Sequence, residues 1–206
     1  MRAIRSRMFS TDVRLALAPS ATYRELISQN IPVRWWRALA RPALALLLIA
    51  VVVPMMVTNA ITARLVLSSA IAWGLVVAIQ LAIAAVLVAP ARARDVGFWR
   101  ALDLWFAGHV PYSLWILLLP LLTNSLAVPP HDVMGLSFLA PLAWTSVITN
   151  AFFQTVLGMD ASTARRRTTL HLVVVVIIVS VFGLWAAGGI SATVGYLVRR
   201  LGALSS

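Results

Sequence analysis

Five polar side chains stand inside stretches that are otherwise apolar: Gln80, Asp103, His109, Asn150 and Gln154. Asp103 and His109 share one stretch, and Asn150 and Gln154 fall at i, i+4, on one face of a helix. Ionisable groups at membrane depth are costly and are the material of proton relays and ion paths. Amides there also tie helices together, at about 1 kcal/mol each. A carboxylate close to a helix start is favoured by the helix dipole, and Arg100, one turn before Asp103, offers it an ion pair. A relay needs the five groups to converge on one cavity opening to the cytoplasm. Ties need each group to meet a neighbour. Under both readings Asp103→Asn is expected to leave the fold intact.

Other chemistry is thinly represented. The chain has no H-E-x-x-H, no G-x-S-x-G, no Walker sequence and no Rossmann glycine pattern. Its acids are Asp12, Glu25, Asp95, Asp103, Asp132 and Asp160, no two of them in one apolar stretch. His109, His131 and His171 lie on different segments and form no recognisable metal set. Cysteine is absent, which excludes disulfides, thiol redox chemistry and cysteine metal sites. No catalytic residue, metal or cofactor is assigned, and an enzyme is not expected.

The elements that must position these groups are apolar runs. Pro42–Ala63, Leu65–Ala89, Ala101–Leu122, Gly135–Leu157 and Leu170–Ala187 are each of the length that crosses a hydrocarbon core of about 30 Å. The chain is 61% hydrophobic and 11% charged, against about a quarter charged in soluble domains. The expected fold class is all-α, a polytopic bundle of five transmembrane helices (residues 42–206) behind a short amphipathic N-terminal tail (residues 1–41). The first run starts late and is long, so it is read as a retained span and not a signal peptide.

Charge gives the orientation. The net charge is +11, carried by arginine without any lysine. Eight arginines precede the first run, Arg92, Arg94 and Arg100 lie between the second and third, and Arg165, Arg166 and Arg167 between the fourth and fifth. With five crossings these fall on one side, and Arg64, Arg199 and Arg200 on the other. Positive-inside bias then sets the N-terminus in the cytoplasm and the C-terminus outside. This placement argues against nucleic acid as the partner. Exclusive use of arginine leans towards a GC-rich bacterial genome, hence a bacterial cytoplasmic (inner) membrane.

In the tail, Ser10-Thr11-Asp12 offers a cap before a short helix that Pro19 stops, and Thr22-Tyr23-Arg24-Glu25 has the spacing of a capping box for a second helix ending before Pro32. Arg34, Trp35, Trp36, Arg37 and Arg41 form an interface anchor, with indoles in the headgroup layer and guanidinium groups near anionic lipid. The tail is expected to lie on the cytoplasmic membrane surface. Small residues recur every fourth position at Ala70, Gly74, Ala78 and Ala82, and again at Gly183, Ala187, Ser191 and Gly195. Such stripes allow close helix approach, so the second and fifth spans are expected to pack inside the bundle. Pro54, Pro111, Pro120 and Pro141 are expected to kink their helices, and Gly188-Gly189 to bend the last. The segment Thr123–Val133 is the expected outer loop.

Two local stretches add a resemblance. Leu15-Ala16-Leu17-Ala18-Pro19-Ser20-Ala21-Thr22-Tyr23 looks like a pre-membrane leader with a proline followed by an aromatic residue, and Gly97-Phe98-Trp99-Arg100-Ala101-Leu102 opens the third span with a glycine, bulky residues and Ala-Leu. Together with five spans and a cytoplasmic tail, they resemble the YIP (Ypt-interacting protein) family in its bacterial branch. The resemblance implies a non-enzymatic membrane protein of a family linked in eukaryotes to vesicle trafficking and small GTPases. The Asp-Leu-Tyr-Gly-Pro type of tail motif is missing here, so GTPase binding does not carry over, nor does any site residue. Two functions follow as expectations. One is a membrane-organising or assembly protein whose partners are membrane lipids, a second copy or another membrane protein. The alternative is a small transporter or channel subunit using the five polar residues.

Overall fold

A computed structural model describes residues 11–90, 96–115, 118 and 137–186. Among them the chain is helical, with no strand. The helices are α1 (residues 11–17), α2 (Pro19–Ser28), α3 (Trp35–Thr58), α4 (Ala63–Val88), α5 (Phe98–Ala107), α6 (residues 110–115), α7 (Leu139–Thr155) and α8 (Ala161–Ala186). The chain divides into two compact units, Met1–Thr169 and Leu170–Ser206. The first holds everything described below, and in the second α8 continues to Ala186.

Two helices among the described residues are long and apolar enough to cross a membrane: Trp35–Met55 within α3, mean hydropathy 2.2, and Ala63–Val88, mean hydropathy 2.5. At 1.5 Å per residue each exceeds about 30 Å. Asn59, in the left-handed region at φ 52°, ends α3, and the Thr62 hydroxyl accepts from the Leu65 amide to cap α4. The two helices pack on each other as a hairpin. Leu67, Ile71 and Leu75 form an exposed apolar stripe on α4, with Leu44 and Leu47 exposed on α3. Large apolar side chains turned outward on both helices suit a lipid surround better than water.

The core gathers one end of the helices. Leu15 and Tyr23 of the tail, Ala38 near the start of α3, Ala84 and Val88 at the end of α4, Ala101 and Leu102 of α5, Phe152 and Phe153 of α7, and Ala164 of α8 belong to one buried cluster. Helix starts and helix ends thus alternate at this end, as in an up-and-down bundle. α5 is its centre, with every residue from Ala101 to Ala107 buried.

The helices depart from expectation in four places. α3 begins at Trp35, a turn and more before Pro42, so the tryptophans belong to its first turns and both Pro42 and Pro54 lie inside a continuous helix. Pro19 does end α1, but it also opens α2 at its first turn, where a missing N–H costs nothing. Thr22 is therefore interior to α2 and its hydroxyl donates to the Arg14 carbonyl, so the capping box is not formed. The third run breaks at Gly108-His109: the amides of Gly108 and His109 turn back to the Trp105 and Phe106 carbonyls before helix resumes. Pro111 explains the break, because it has no N–H to offer residue 107 and its ring crowds that carbonyl. Finally α8 starts at Ala161, nine residues ahead of the expected fifth span. Pro120, residues 123–133, Gly188-Gly189, Arg92 and Arg94 lie outside the described residues.

Among the described residues, no helix lies close to the glycine of the α4 stripe. A Cβ placed on Gly74 would meet no atom within 4 Å, and Ala78 and Ala82 are exposed while Ala70 is half-buried. Ala187, Ser191 and Gly195 lie outside the described residues, as does the side-chain environment of Gly183.

Candidate functional site

Four charged side chains from three helices meet at the core end. Arg41 of α3 donates through Nη1 to both carboxylate oxygens of Asp12, at 2.9 Å each, and through Nε to Asp103 Oδ1 at 3.3 Å. Arg100 approaches the other oxygen of Asp103 at 3.8 Å and donates through Nη2 to the Leu26 carbonyl at 2.9 Å. All four side chains are less than one-fifth exposed. Charges taken out of water persist when they are paired and hydrogen-bonded. Two guanidinium forks facing two carboxylates satisfy that condition, since each fork presents several donors in one plane. The knot joins α1, α3 and α5, and Arg100 adds α2.

Beside it sits Tyr23. Its hydroxyl donates to the Leu104 carbonyl at 3.3 Å, and its ring stands edge-on to Phe152 at 5.7 Å. Trp105 packs against the same Phe152 at 5.1 Å and against Phe153 at 5.7 Å. Burial pushes the Tyr23 phenol well above its ordinary value, against a smaller opposing pull from Arg41, so it remains a neutral donor. Gly108 makes the fit possible: a Cβ there would lie 2.9 Å from the Tyr23 hydroxyl and 2.9 Å from Ile148 Cγ2. Trp144 on α7 adds a hydrogen bond from its indole N–H to the Ala16 carbonyl, at 2.8 Å. Residues 11–28 are thus built into the bundle, whereas the expectation was a tail lying on the membrane surface.

The five polar residues have separate surroundings. Asp103 is in the charged knot, and its ion-pair partners among the described residues are Arg41 and Arg100. His109 holds its Nδ1 3.0 Å from the Trp105 carbonyl, which can only accept, so Nδ1 carries the proton. Gln80 is half-buried on α4, and Gln154 is exposed on α7. Asn150 is the exception: its Oδ1 is buried without a hydrogen-bond partner among the described residues. Of the expected anchors, Arg34, Trp35, Trp36 and Arg37 are exposed at the start of α3. Arg41 differs from them in being mostly buried and ion-paired. It points into the knot because Asp12 and Asp103 wait there.

The ion pair of Asp12, the buried hydrogen bond of Tyr23 and the close approach at Gly108 escaped the sequence reading. A signal for Asp12 existed: with six acids against seventeen arginines, a carboxylate has many cations to choose from. Asp12 pairs with Arg41, Glu25 forms a two-point pair with Arg14, and Asp103 is claimed twice.

A groove of about 650 Å³ lies next to the knot, between the end of α2 and the start of α5. Ile27, Ile31, Val33, Phe98 and Trp99 supply apolar wall, and Arg100 is the charged residue among those lining it. No protein-family model, curated protein or solved structure matches this chain.

Proposed function

We propose that this chain is an integral membrane protein of five crossings that acts without catalysis, as a YIP-like membrane-organising or assembly factor of a bacterial inner membrane. Its N-terminus lies in the cytoplasm and its C-terminus outside. Two outward-apolar helices support membrane residence. The alternation of helix starts and ends in one core supports up-and-down threading. The arginine distribution supports the orientation.

One observation carries the non-transport reading. The ionisable groups at depth are spent on internal contacts, with Asp103 between Arg41 and Arg100 and His109 on a backbone carbonyl. A relay group must be free to exchange its partner, and these two are engaged. A second reading, a small transporter or channel subunit, draws on the unpartnered Oδ1 of Asn150.

Vesicles reconstituted with the wild type or Asp103→Asn, each enclosing a pH-sensitive dye, separate the two. The assembly reading expects no proton flux above empty vesicles from either protein. It also expects the variant to loosen: a half-vacant pair for two guanidinium groups costs about 1–3 kcal/mol, read as faster amide exchange in residues 11–28. This replaces the expectation that the substitution leaves the fold intact. A wild-type flux abolished by Asp103→Asn, with exchange in the tail unchanged, sinks the assembly reading.

A further inference from the structure

The groove between α2 and α5 has a composition that narrows its occupant. Ile31 and Trp99 are 48% and 40% exposed, so its apolar wall is open to an incoming chain. Arg100 brings charge into that wall, and its Nε is buried without a hydrogen-bond partner among the described residues, while Nη1 and Nη2 are occupied by Asp103 and Leu26. Arg37 and Arg41 lie near enough to act electrostatically on Arg100. Counting Arg34, which directly follows Val33, four guanidinium groups stand near this end among the described residues, against the two described carboxylates of Asp12 and Asp103. Among the described residues this end carries more positive than negative charge.

The position matters as much as the charge. The groove adjoins the residues that lead into α3 at Trp35, the start of a helix of membrane-crossing length, which the membrane reading above puts at the water-side end. An apolar ligand would leave the surplus positive charge uncompensated. A bare anion would leave Ile31 and Trp99 facing water. An amphiphile with a negative head satisfies both.

We propose that the groove between residues 27–33 and 96–100 is a binding site for one anionic phospholipid, its phosphate towards Arg100 and an acyl chain along Ile27, Ile31, Phe98 and Trp99. The site rests on the membrane reading above and assigns to it a lipid of defined charge. An anionic lipid there adds the missing negative charge beside the knot that holds residues 11–28, so the docking of the tail becomes sensitive to lipid composition.

The test uses the full chain in detergent, titrated with phosphatidylglycerol or phosphatidylcholine of the same acyl chains, with bound lipid counted by native mass spectrometry. Gly97→Phe fills the groove, since a Cβ at Gly97 meets nothing within 4 Å and its φ of −53° suits any residue. Ile31→Glu sets a carboxylate on the exposed wall and keeps the groove open. The wild type is expected to bind one phosphatidylglycerol about tenfold more tightly than phosphatidylcholine, and each variant to lose that preference. Equal binding of the two lipids by the wild type overturns the site, as does full retention of the preference by Ile31→Glu. Displacement of the lipid by glycerol phosphate or inorganic phosphate at equal concentration overturns the lipid as the occupant. None of these outcomes depends on the number of crossings, which is measured separately by labelling from the two sides of the membrane.

Discussion

At Gly108 two opposing terms can be compared directly. Its backbone, at φ −69° and ψ −9°, is open to any residue, so conformation does not demand glycine. Alanine there would gain helix propensity, up to about 1 kcal/mol. Against this, the new methyl carbon would lie 2.9 Å from the Tyr23 hydroxyl, 2.9 Å from Ile148 Cγ2 and 3.2 Å from the Trp105 carbonyl oxygen. Tyr23 cannot swing away cheaply, being 1% exposed and held by Leu104 and Phe152. Overpacking of this kind costs about 1–3 kcal/mol, so the crowding wins. Gly108→Ala is expected to lower the thermal midpoint of the detergent-solubilised protein, followed by tryptophan fluorescence. In a Tyr23→Phe background, which removes the crowded oxygen, the same substitution is expected to cost less, with a coupling of about 0.5–3 kcal/mol. Strict additivity of the two changes would show that the tail does not sit on Gly108.

Helix limits were legible in the sequence where a local rule is decisive. Pro19 ending α1 is of that kind, and the apolar run over 65–89 matches α4 closely because nothing within it competes with helix. The start of α3 was not legible: Pro42 reads as an N-terminal signal, yet the helix absorbs it along with Pro54. The knot was legible by half. Asp103 and Arg100 are one turn apart, whereas Arg41 finds Asp103 across 62 positions and Asp12 across 29, separations on which no periodicity reports. The start of α8 supplies a prediction of its own. Asp160 Oδ1 accepts from the amides of Ser162 and Thr163, each at 3.0 Å, and from the Ser162 hydroxyl at 2.5 Å. Hydrogen bonds from Ser162 and then Thr163 hold its carboxyl well below the ordinary 3.8. A carboxyl with a lowered folded value contributes stability above its unfolded value and loses it as pH falls through the folded one. Amide exchange at Ser162 and Thr163, corrected for intrinsic pH effects, is therefore expected to quicken in acid below about pH 4. Asp160→Asn, which can still cap but does not titrate, is expected to flatten that response. The same acid response in Asp160→Asn would assign it to another group.

At the scale of the molecule, the argument turns on which ends share a side. Ala38 of α3, Ala101 of α5 and Ala164 of α8 lie near helix starts, Val88 ends α4, and Phe152 and Phe153 lie in the last turn of α7; all are packed in one core with the tail. If α3 and α4 cross as a hairpin, Asn59–Thr62 lies on the far side from that core. The chain contains no cysteine, so single cysteines can be introduced on a silent background and labelled in intact cells with an impermeant maleimide. Ala60→Cys, in the turn between α3 and α4, is expected to label from outside. Ser20→Cys and Ala161→Cys, both exposed and on the core side, are expected to label after permeabilisation alone. Ser206→Cys settles the parity: five crossings bring it outside with Ala60, and four leave it with Ser20. The arginine count makes the same demand, because five crossings keep Arg165, Arg166 and Arg167 with the basic tail and export Arg199 and Arg200. External labelling of Ser20→Cys would invert the orientation, and labelling of Ala60→Cys and Ala161→Cys from the same side would break the alternation on which the bundle depends.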